Sequence, residues 1–475
     1  MKKFLALIFL IFLLLRAFPY LNNPVPLGYD AGIYLYEFLF FPNLPVWIKA
    51  DGFPPGLFAV FYPIIKLGIS PESLIIPISI LSQIALFFGV YFVSKKIFNE
   101  KIALLNTFLF SVSLIQFRTF WFYYVNNIFG LTFFLLAFYF LTKKNFLRSV
   151  LFAAILSYFH LPTFLIYCLT LIVLFIFDRK NLAFNLKVFI STMIIFSIYY
   201  LSVFDITILR FLIPVLKSIA PYKLITTGTI SSGGGTFYSL PISFLMTFFY
   251  LPFGILGAYL LIPLRRHASR DFRTEEKVKP YLIAFILLFL MTVTGFFFSR
   301  RYFIPFDLLL IFFSGFGLNF VLGKYKNYKD VFSFYFLVLI IFIFAFVLKT
   351  GQPLITKDVF NEIKNFKETK GYVLSTSKED SAWLLGYTLR FNSGQARLKL
   401  IAWSFGGEDK YWDNKQWQSF YGNDTGSLKI TLLNKLPKPL YVFINDKQIV
   451  PLKNVIGDPC VKKLSPHFYK YICKE

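Results

Sequence analysis

Apolar stretches recur from Phe4 to about Lys349, each broken by a short run carrying Lys or Arg, and beyond Lys349 polar residues return. The pattern predicts helical membrane spans near residues 4–18, 72–94, 102–117, 128–142, 147–160, 162–177, 186–203, 241–264, 280–298, 302–321 and 331–349. A helix rising about 1.5 Å per residue needs roughly 20 apolar residues to cross hydrocarbon about 30 Å thick, and these runs approach that length. The expected fold is an α-helical polytopic membrane protein with about eleven transmembrane helices and a small external C-terminal α/β domain. The domains are 1–349, holding a first outer loop 19–71 and a second outer loop 204–240, and then 350–475.

Two outer segments break the pattern. Pro54-Pro55-Gly56 opens an apolar run too short to cross, closed by Gly68 and Pro71, and it reads as a helix lying at the membrane interface. In 204–240, Thr226-Thr227-Gly228 and Ser231-Ser232-Gly233-Gly234-Gly235 suit either a mobile lid or a plain connector. The C-terminal region predicts a helix over 357–370, an extended Gly371–Ser375, and a second helix over 377–385 with Ser377 and Asp380 in capping-box positions. Strands are predicted over 429–433 and 440–444. There is no internal repeat.

Composition agrees with a membrane protein. Of 475 residues, 57% are hydrophobic and 21% aromatic, too apolar for a soluble chain of this length. The net charge of +25 would otherwise suggest nucleic acid, but the basic residues flank the apolar spans, so lipid and topology account for them and no nucleic acid is expected. With the N-terminus cytoplasmic, inner loops carry about 20 Lys and Arg against about 9 outside before the tail. An odd number of spans then leaves the C-terminal domain extracytoplasmic. Met1-Lys2-Lys3 and the following apolar run lack a small-residue cleavage site, with Arg16 and Phe18 in its place, so they read as a retained helix. Cys168 falls in a span, whereas Cys460 and Cys473 lie in the external tail, where they either pair or stay as thiols. His160, His267 and His467 are scattered and form no metal motif.

Several residues carry potential chemistry. Asp30 follows the first span in Gly28-Tyr29-Asp30-Ala31-Gly32 among apolar and aromatic neighbours, where a carboxylate either caps a short helix or acts as a base. Glu37 lies two helical turns on, near the same face, and Asp51 is a second polar contact or a turn residue before the proline pair. Ser299-Arg300-Arg301-Tyr302 puts two arginines at an outer span end, against the positive-inside bias. A lipid phosphate fits them, because guanidinium matches phosphate oxygens in two-pronged geometry; an ion pair with Asp307 is the alternative. His160 is a weaker polar candidate. The run Arg118 to Tyr124 reads mainly as an aromatic interface belt, but its rings, with Tyr124 and Asn126, could line a sugar site. Asn423-Asp424-Thr425 is a glycosylation sequon, and Tyr411-Trp412-Asp413 shares part of the Trp-Trp-Asp motif of oligosaccharyltransferases without its flanking residues, so we assign it no function.

An acid in the first outer loop, an apolar segment after Pro-Pro, the Arg301–Pro305 segment and an external C-terminal domain together resemble the GT-C membrane glycosyltransferases. In style the chain is similar to protein mannosyltransferases and aminoarabinose transferases. That resemblance implies a polyprenyl-phosphate-linked sugar donor, such as a dolichyl phosphate, with Asp30 as the loop acid and Arg300 or Arg301 beside the lipid phosphate. The acceptor would be lipid, glycan or protein. Ala31 replaces the second acid of the loop motif, and Phe53 the histidine before Pro-Pro. With a phosphate already a good leaving group, a single carboxylate suffices as base and no metal is required. Transfer of a whole lipid-linked oligosaccharide, a transporter or flippase, and a non-catalytic relative are the alternatives. Polar candidates at outer span ends, and the lack of repeated halves, argue against transport.

Overall fold

The computed structural model describes residues 1–21, 24–28, 30–42, 54–203, 237–262, 272–296, 299–325, 329–366, 368, 370–376, 378–387, 397–402, 411–422, 426–446 and 452–473. Its helices begin with α1 (Lys2–Leu21), α2 (Asp30–Phe40), α3 (Gly56–Lys66), α4 (Pro71–Ile97), α5 (Glu100–Val112), α6 (Leu114–Trp121), α7 (Val125–Thr142) and α8 (Phe146–Phe159). There follow α9 (Leu161–Phe177), α10 (Leu182–Tyr200), α11 (Leu240–Thr247), α12 (Leu251–Leu261), α13 (Phe272–Val293), α14 (Ser299–Lys324) and α15 (Lys329–Thr350). Each predicted span falls on one of these helices or on a bent pair. Among the described residues six single helices have the length and apolarity to cross a membrane, or eight spans if each bent pair counts as one. The bends are 52° between α5 and α6 and 83° between α11 and α12. Eleven residues make α3 about 16 Å long, too short to cross.

Two compact units emerge, and they cut the chain differently from a boundary at 349. One comprises residues 1–18, 48–60 and 77–351; the other gathers 19–47, 61–76 and 352–475. The first-loop helix α2 therefore belongs with the C-terminal region.

In the helical unit, α12 and α14 approach backbone to backbone. A Cβ on Gly257 would sit 2.0 Å from the Phe313 carbonyl oxygen, and one on Gly317 would sit 2.1 Å from that of Phe253. Small residues at such contacts let membrane helices pack closely, where lipid offers no hydrophobic drive. Arg16 of α1 is buried in this unit. It donates to Gln83 Oε1 (3.4 Å) and the Ser111 carbonyl (3.2 Å), and lies over the rings of Phe12 and Phe117. The Arg118–Tyr124 run is not a lipid-facing belt. All of α6 is buried, because Arg118 turns inward to donate to the Thr350 carbonyl at the C-terminus of α15 (3.1 Å).

The second unit adds α16 (Lys357–Lys364), β1 (Lys370–Ser375), α17 (Lys378–Tyr387), β2 (Arg397–Ile401), α18 (Asn414–Tyr421), α19 (Gly426–Asn434), β3 (Leu440–Phe443), α20 (Lys453–Ile456), β4 (Val461–Lys463) and β5 (Phe468–Tyr471). The sheet order is β2-β1-β3-β5-β4. Strand β1 pairs in parallel with β2 and β3, and β5 runs antiparallel to β3 and β4. The helix predicted over 357–370 ends at Lys364. Residues 429–433 are helical, not a strand, because α19 turns Leu432 and Leu433 into the core together and the Lys429 ammonium donates to the Gly422 carbonyl (2.7 Å). Trp412 is 3% exposed and donates to the Leu432 carbonyl (3.2 Å), while Asp413 caps α18 in a capping box with Gln416. Both therefore have structural work in this unit. Cys460 and Cys473 form a disulfide, Cα atoms 4.9 Å apart.

Candidate anion site and the first-loop carboxylates

The turn between α6 and α7 brings several polar and aromatic residues together in the helical unit. Tyr123 takes a left-handed conformation (φ 66°), and its N–H and that of Tyr124 bond back to the carbonyls of Phe120 and Thr119 (3.0 and 3.2 Å). Such a residue ends a helix by satisfying its last carbonyls. It is fully buried, so packing holds an aromatic residue where glycine is usual.

Tyr124 then caps α7 with backbone only; its side chain makes no capping hydrogen bond. The Tyr124 side chain therefore does not cover the N-terminus of α7, and a helix N-terminus carries the partial positive charge that draws anions. Asn126 and Asn127 sit in the first turn of α7. Asn127 is 3% exposed, and neither atom of its amide has a hydrogen-bond partner among the described residues. Over Tyr124, from the start of α14, lies the Arg301 guanidinium, 4.8 Å from the ring centroid. Phe122 stacks on Tyr124 at 5.4 Å, and Arg118 lies over Trp121 and Tyr238 at 4.7 and 5.7 Å.

His160 joins this feature from the junction of α8 and α9. Its ring Nδ1 accepts from the Thr163 N–H (3.3 Å) and bonds the Thr163 hydroxyl (2.6 Å), so it caps α9. The charge of Arg301 acts on it. Of the residues predicted for substrate or phosphate, Tyr124, Asn126, His160 and Arg301 thus belong to one unit. Arg300 is exposed. An anion recognised by a helix N-terminus, amide donors and a guanidinium is what this arrangement is equipped to hold.

Asp307 does not pair with Arg301. It is fully buried on α14 and accepts from Tyr250, from the Ser113 hydroxyl (3.0 Å) and from Gln116 Nε2 (2.8 Å). Ser113 stands at the α5–α6 bend and Tyr250 just before α12, after the α11–α12 bend. One carboxylate thus ties both broken helices to α14, through neutral donors alone. A lone acid in an apolar run was the sequence signal for it.

In the other unit, Asp30 is the first residue of α2 and is half-buried, while Glu37 on the same helix is fully buried. An acid in the first turn opposes the helix dipole favourably. Helix α2 is held by α17 at backbone contact: a Cβ on Gly32 would sit 2.0 Å from the Ala382 carbonyl oxygen, and one on Gly386 would sit 2.1 Å from that of Gly32. Within α17, Asp380 accepts from Asn445. Asp51, Ser377, the loop residues 204–236 and the sequon at 423–425 lie outside the described residues.

No protein-family model and no curated protein sequence matches the chain. Solved structures do. The oligosaccharyltransferase of Archaeoglobus fulgidus in its apo form aligns with a TM-score of 0.57 at 14% identity, covering 94% of this chain and 70% of that one. Oligosaccharyltransferase AglB from the same organism, in complex with an inhibitory peptide and a dolichol-phosphate, gives 0.58 at 14%, covering 93% and 69%. A third structure of the enzyme, tethered by a disulfide to an acceptor peptide containing the NVT sequon, gives 0.57 at 14%, covering 94% and 69%. The chain is a polytopic α-helical membrane protein with a small C-terminal α/β region. Its fold is similar to that of these oligosaccharyltransferase structures.

Proposed function

We infer that this protein is a membrane glycosyltransferase that moves a sugar from a polyprenyl-phosphate-linked donor to an acceptor on the extracytoplasmic side. The observation that carries this reading is the α7 N-terminus, which brings together a helix end not capped by the Tyr124 side chain, the buried Asn127 amide without a partner among the described residues, and the Arg301 guanidinium over Tyr124. That is chemistry for a phosphate, and the GT-C fold gives it a context. The Cys460–Cys473 disulfide supports an oxidising compartment for the second unit.

In the reaction, Asp30 takes the proton of the acceptor hydroxyl as its oxygen bonds to the anomeric carbon. The bond from that carbon to the phosphate oxygen breaks, the electron pair leaves with the lipid phosphate, and Arg301 stabilises the charge that develops there. Attack opposite the leaving group inverts the anomeric centre. Aromatic side chains around Tyr124 offer faces for the sugar. The sugar is a hexose or pentose. Transfer of a preassembled glycan to a protein is the second reading, favoured by fold neighbours bound to dolichol-phosphate and to acceptor peptide.

A panel of dolichyl-phosphate and dolichyl-diphosphate sugars, presented to the full chain in liposomes, tests both readings through release of the lipid phosphate. Asp30→Asn should reduce turnover about 10²–10⁴-fold, the range for a general base. Arg301→Gln should weaken donor binding while leaving the fold intact. Full turnover by Asp30→Asn would remove the base from the mechanism. Turnover only with a diphosphate-linked glycan and a peptide would select the second reading.

A further inference from the structure

Helices α9 and α13 each run away from the candidate anion site, and between their far ends and α12 they leave a groove of about 470 Å³. Its size falls within the roughly 300–1,000 Å³ of small-molecule sites. The walls are apolar, with Val173 from α9, Leu261 from α12, and Leu282 and Ile286 from α13. Only the mouth is polar, where Glu276 and Lys279 line it. Lys279 donates to the carbonyl of Phe177, the last residue of α9 (2.9 Å), and lies 3.9 Å from Asp178. A cation at a helix C-terminus is favourably placed, and an ammonium has three donors, so this lysine keeps capacity for a ligand. Arg179, Lys180 and Lys277 are chain neighbours of Asp178 and of the lining residues, so the described segments 176–180 and 276–279 together carry four cations against the two acids Asp178 and Glu276. Ile176 and Phe177 in the first of these segments are 62% and 70% exposed, apolar surface suited to contact with hydrocarbon.

We propose that this groove is a binding site for an anionic phospholipid, with one chain between α9, α12 and α13 and its headgroup phosphate on Lys279. The occupant is distinct from the sugar-donor lipid. Helix α13 runs on for 14 residues, about 21 Å, from Lys279 to its end at Val293 before the segment leading to Arg301, and His160 lies at the other end of α9. The charge excess at the mouth matches a phosphodiester, and basic clusters at membrane surfaces draw anionic lipids. The proposal does not depend on the glycosyltransferase reading, and its test does not use activity.

The full chain is reconstituted in nanodiscs holding equal phosphatidylglycerol and phosphatidylcholine, and native mass spectrometry counts the lipids it retains on release. Wild type should retain phosphatidylglycerol several-fold over phosphatidylcholine. Lys279→Gln should bring that ratio to parity. Leu282→Trp, which fills the groove, should lower retention of both, with Leu282→Phe used if the tryptophan variant fails to fold. No headgroup preference in wild type would overturn the proposal, and so would unchanged retention in the filled variant. Displacement of phosphatidylglycerol by added dolichyl phosphate would reassign the groove to a donor lipid and equally overturn it.

Discussion

The two units of this protein differ in the partners they give to charge: the helical unit buries it among dipoles and rings, and the second unit adds ion pairs between partly exposed groups. In the helical unit, Arg16 rests on phenylalanine faces and accepts help from an amide and a carbonyl, Arg118 does the same with Trp121 and Thr350, and Asp307 takes only neutral donors. In the second unit charge meets charge. His467 lies between Glu362 and Asp446, at 2.6 and 3.0 Å, and Lys364 meets Glu72 at 2.6 Å. The difference follows from solvent. A full opposite charge in hydrocarbon must itself be desolvated, whereas dipoles and ring quadrupoles are cheap to bury. Near water an ion pair costs little to form and is worth correspondingly little.

This contrast can be broken most forcefully at Asp307. Replacing it with Leu removes the shared acceptor of Tyr250, Ser113 and Gln116, and a donor left buried without a partner costs about 1–3 kcal/mol. The sum stays below its maximum because Ser113 and Tyr250 still bond each other (3.1 Å) and Gln116 keeps the Ile304 carbonyl (3.2 Å). A total loss of roughly 3–6 kcal/mol should appear as a large drop in melting temperature in detergent. Asp307→Asn keeps an acceptor and should cost far less; equal losses would mean the negative charge, not the geometry, matters there. In the second unit, Cys460→Ser opens a loop with a sequence separation of 13 and should cost about 3 kcal/mol, read as a lower denaturant midpoint. Gly386→Ala drives a Cβ into the Gly32 carbonyl, and overpacking of this kind costs about 1–3 kcal/mol. It should also loosen α2, seen as faster hydrogen exchange over residues 30–40.

The smallest effect concerns pH. Burial alone would lower the His467 pKa, but its bonds to Glu362 and Asp446 outweigh this and raise it above 6.5. Burial would raise Glu362, yet its bonds to Ser465 and His467 bring it below 4.5. The histidine contributes stability that is complete below pH 6.5 and is lost as pH rises through its raised value. The carboxylate contributes stability present above pH 4.5 and lost as pH falls through its lowered value. The clamp is therefore strongest between about pH 4.5 and 6.5. Solvent screening holds it to about 1 kcal/mol or less. His467→Gln should flatten this part of the stability–pH curve without moving the rest.

The spans were legible because hydrocarbon imposes length and apolarity on sequence, and breaks such as His160-Leu161-Pro162 mark their own ends. Residues 429–433 were not, since Lys-Ile-Thr alternates like a strand, and only packing of Leu432 with Leu433 decides for helix. Arg301 and Tyr124 could be named as candidates, but not that one would lie over the other. Asn127 was missed because its signal, an orphaned amide, exists only once neighbours are in place. The Asp307 partners come from residues 113, 116 and 250, too distant in sequence for any local pattern to join. Likewise, nothing in the first outer loop announces that Gly32 is reserved for contact with Gly386.

That last contact sets a schedule for biosynthesis. Helix α2 emerges early, but the surface that receives it begins only after Gln352. At about 5–20 residues per second, tens of seconds pass between synthesis of the first-loop segments and arrival of α17. Throughout that interval Asp30 and Glu37 ride on a helix without its docking partner. The carboxylates of the first loop thus reach their final packing late, after the helices between them and α17 have been made.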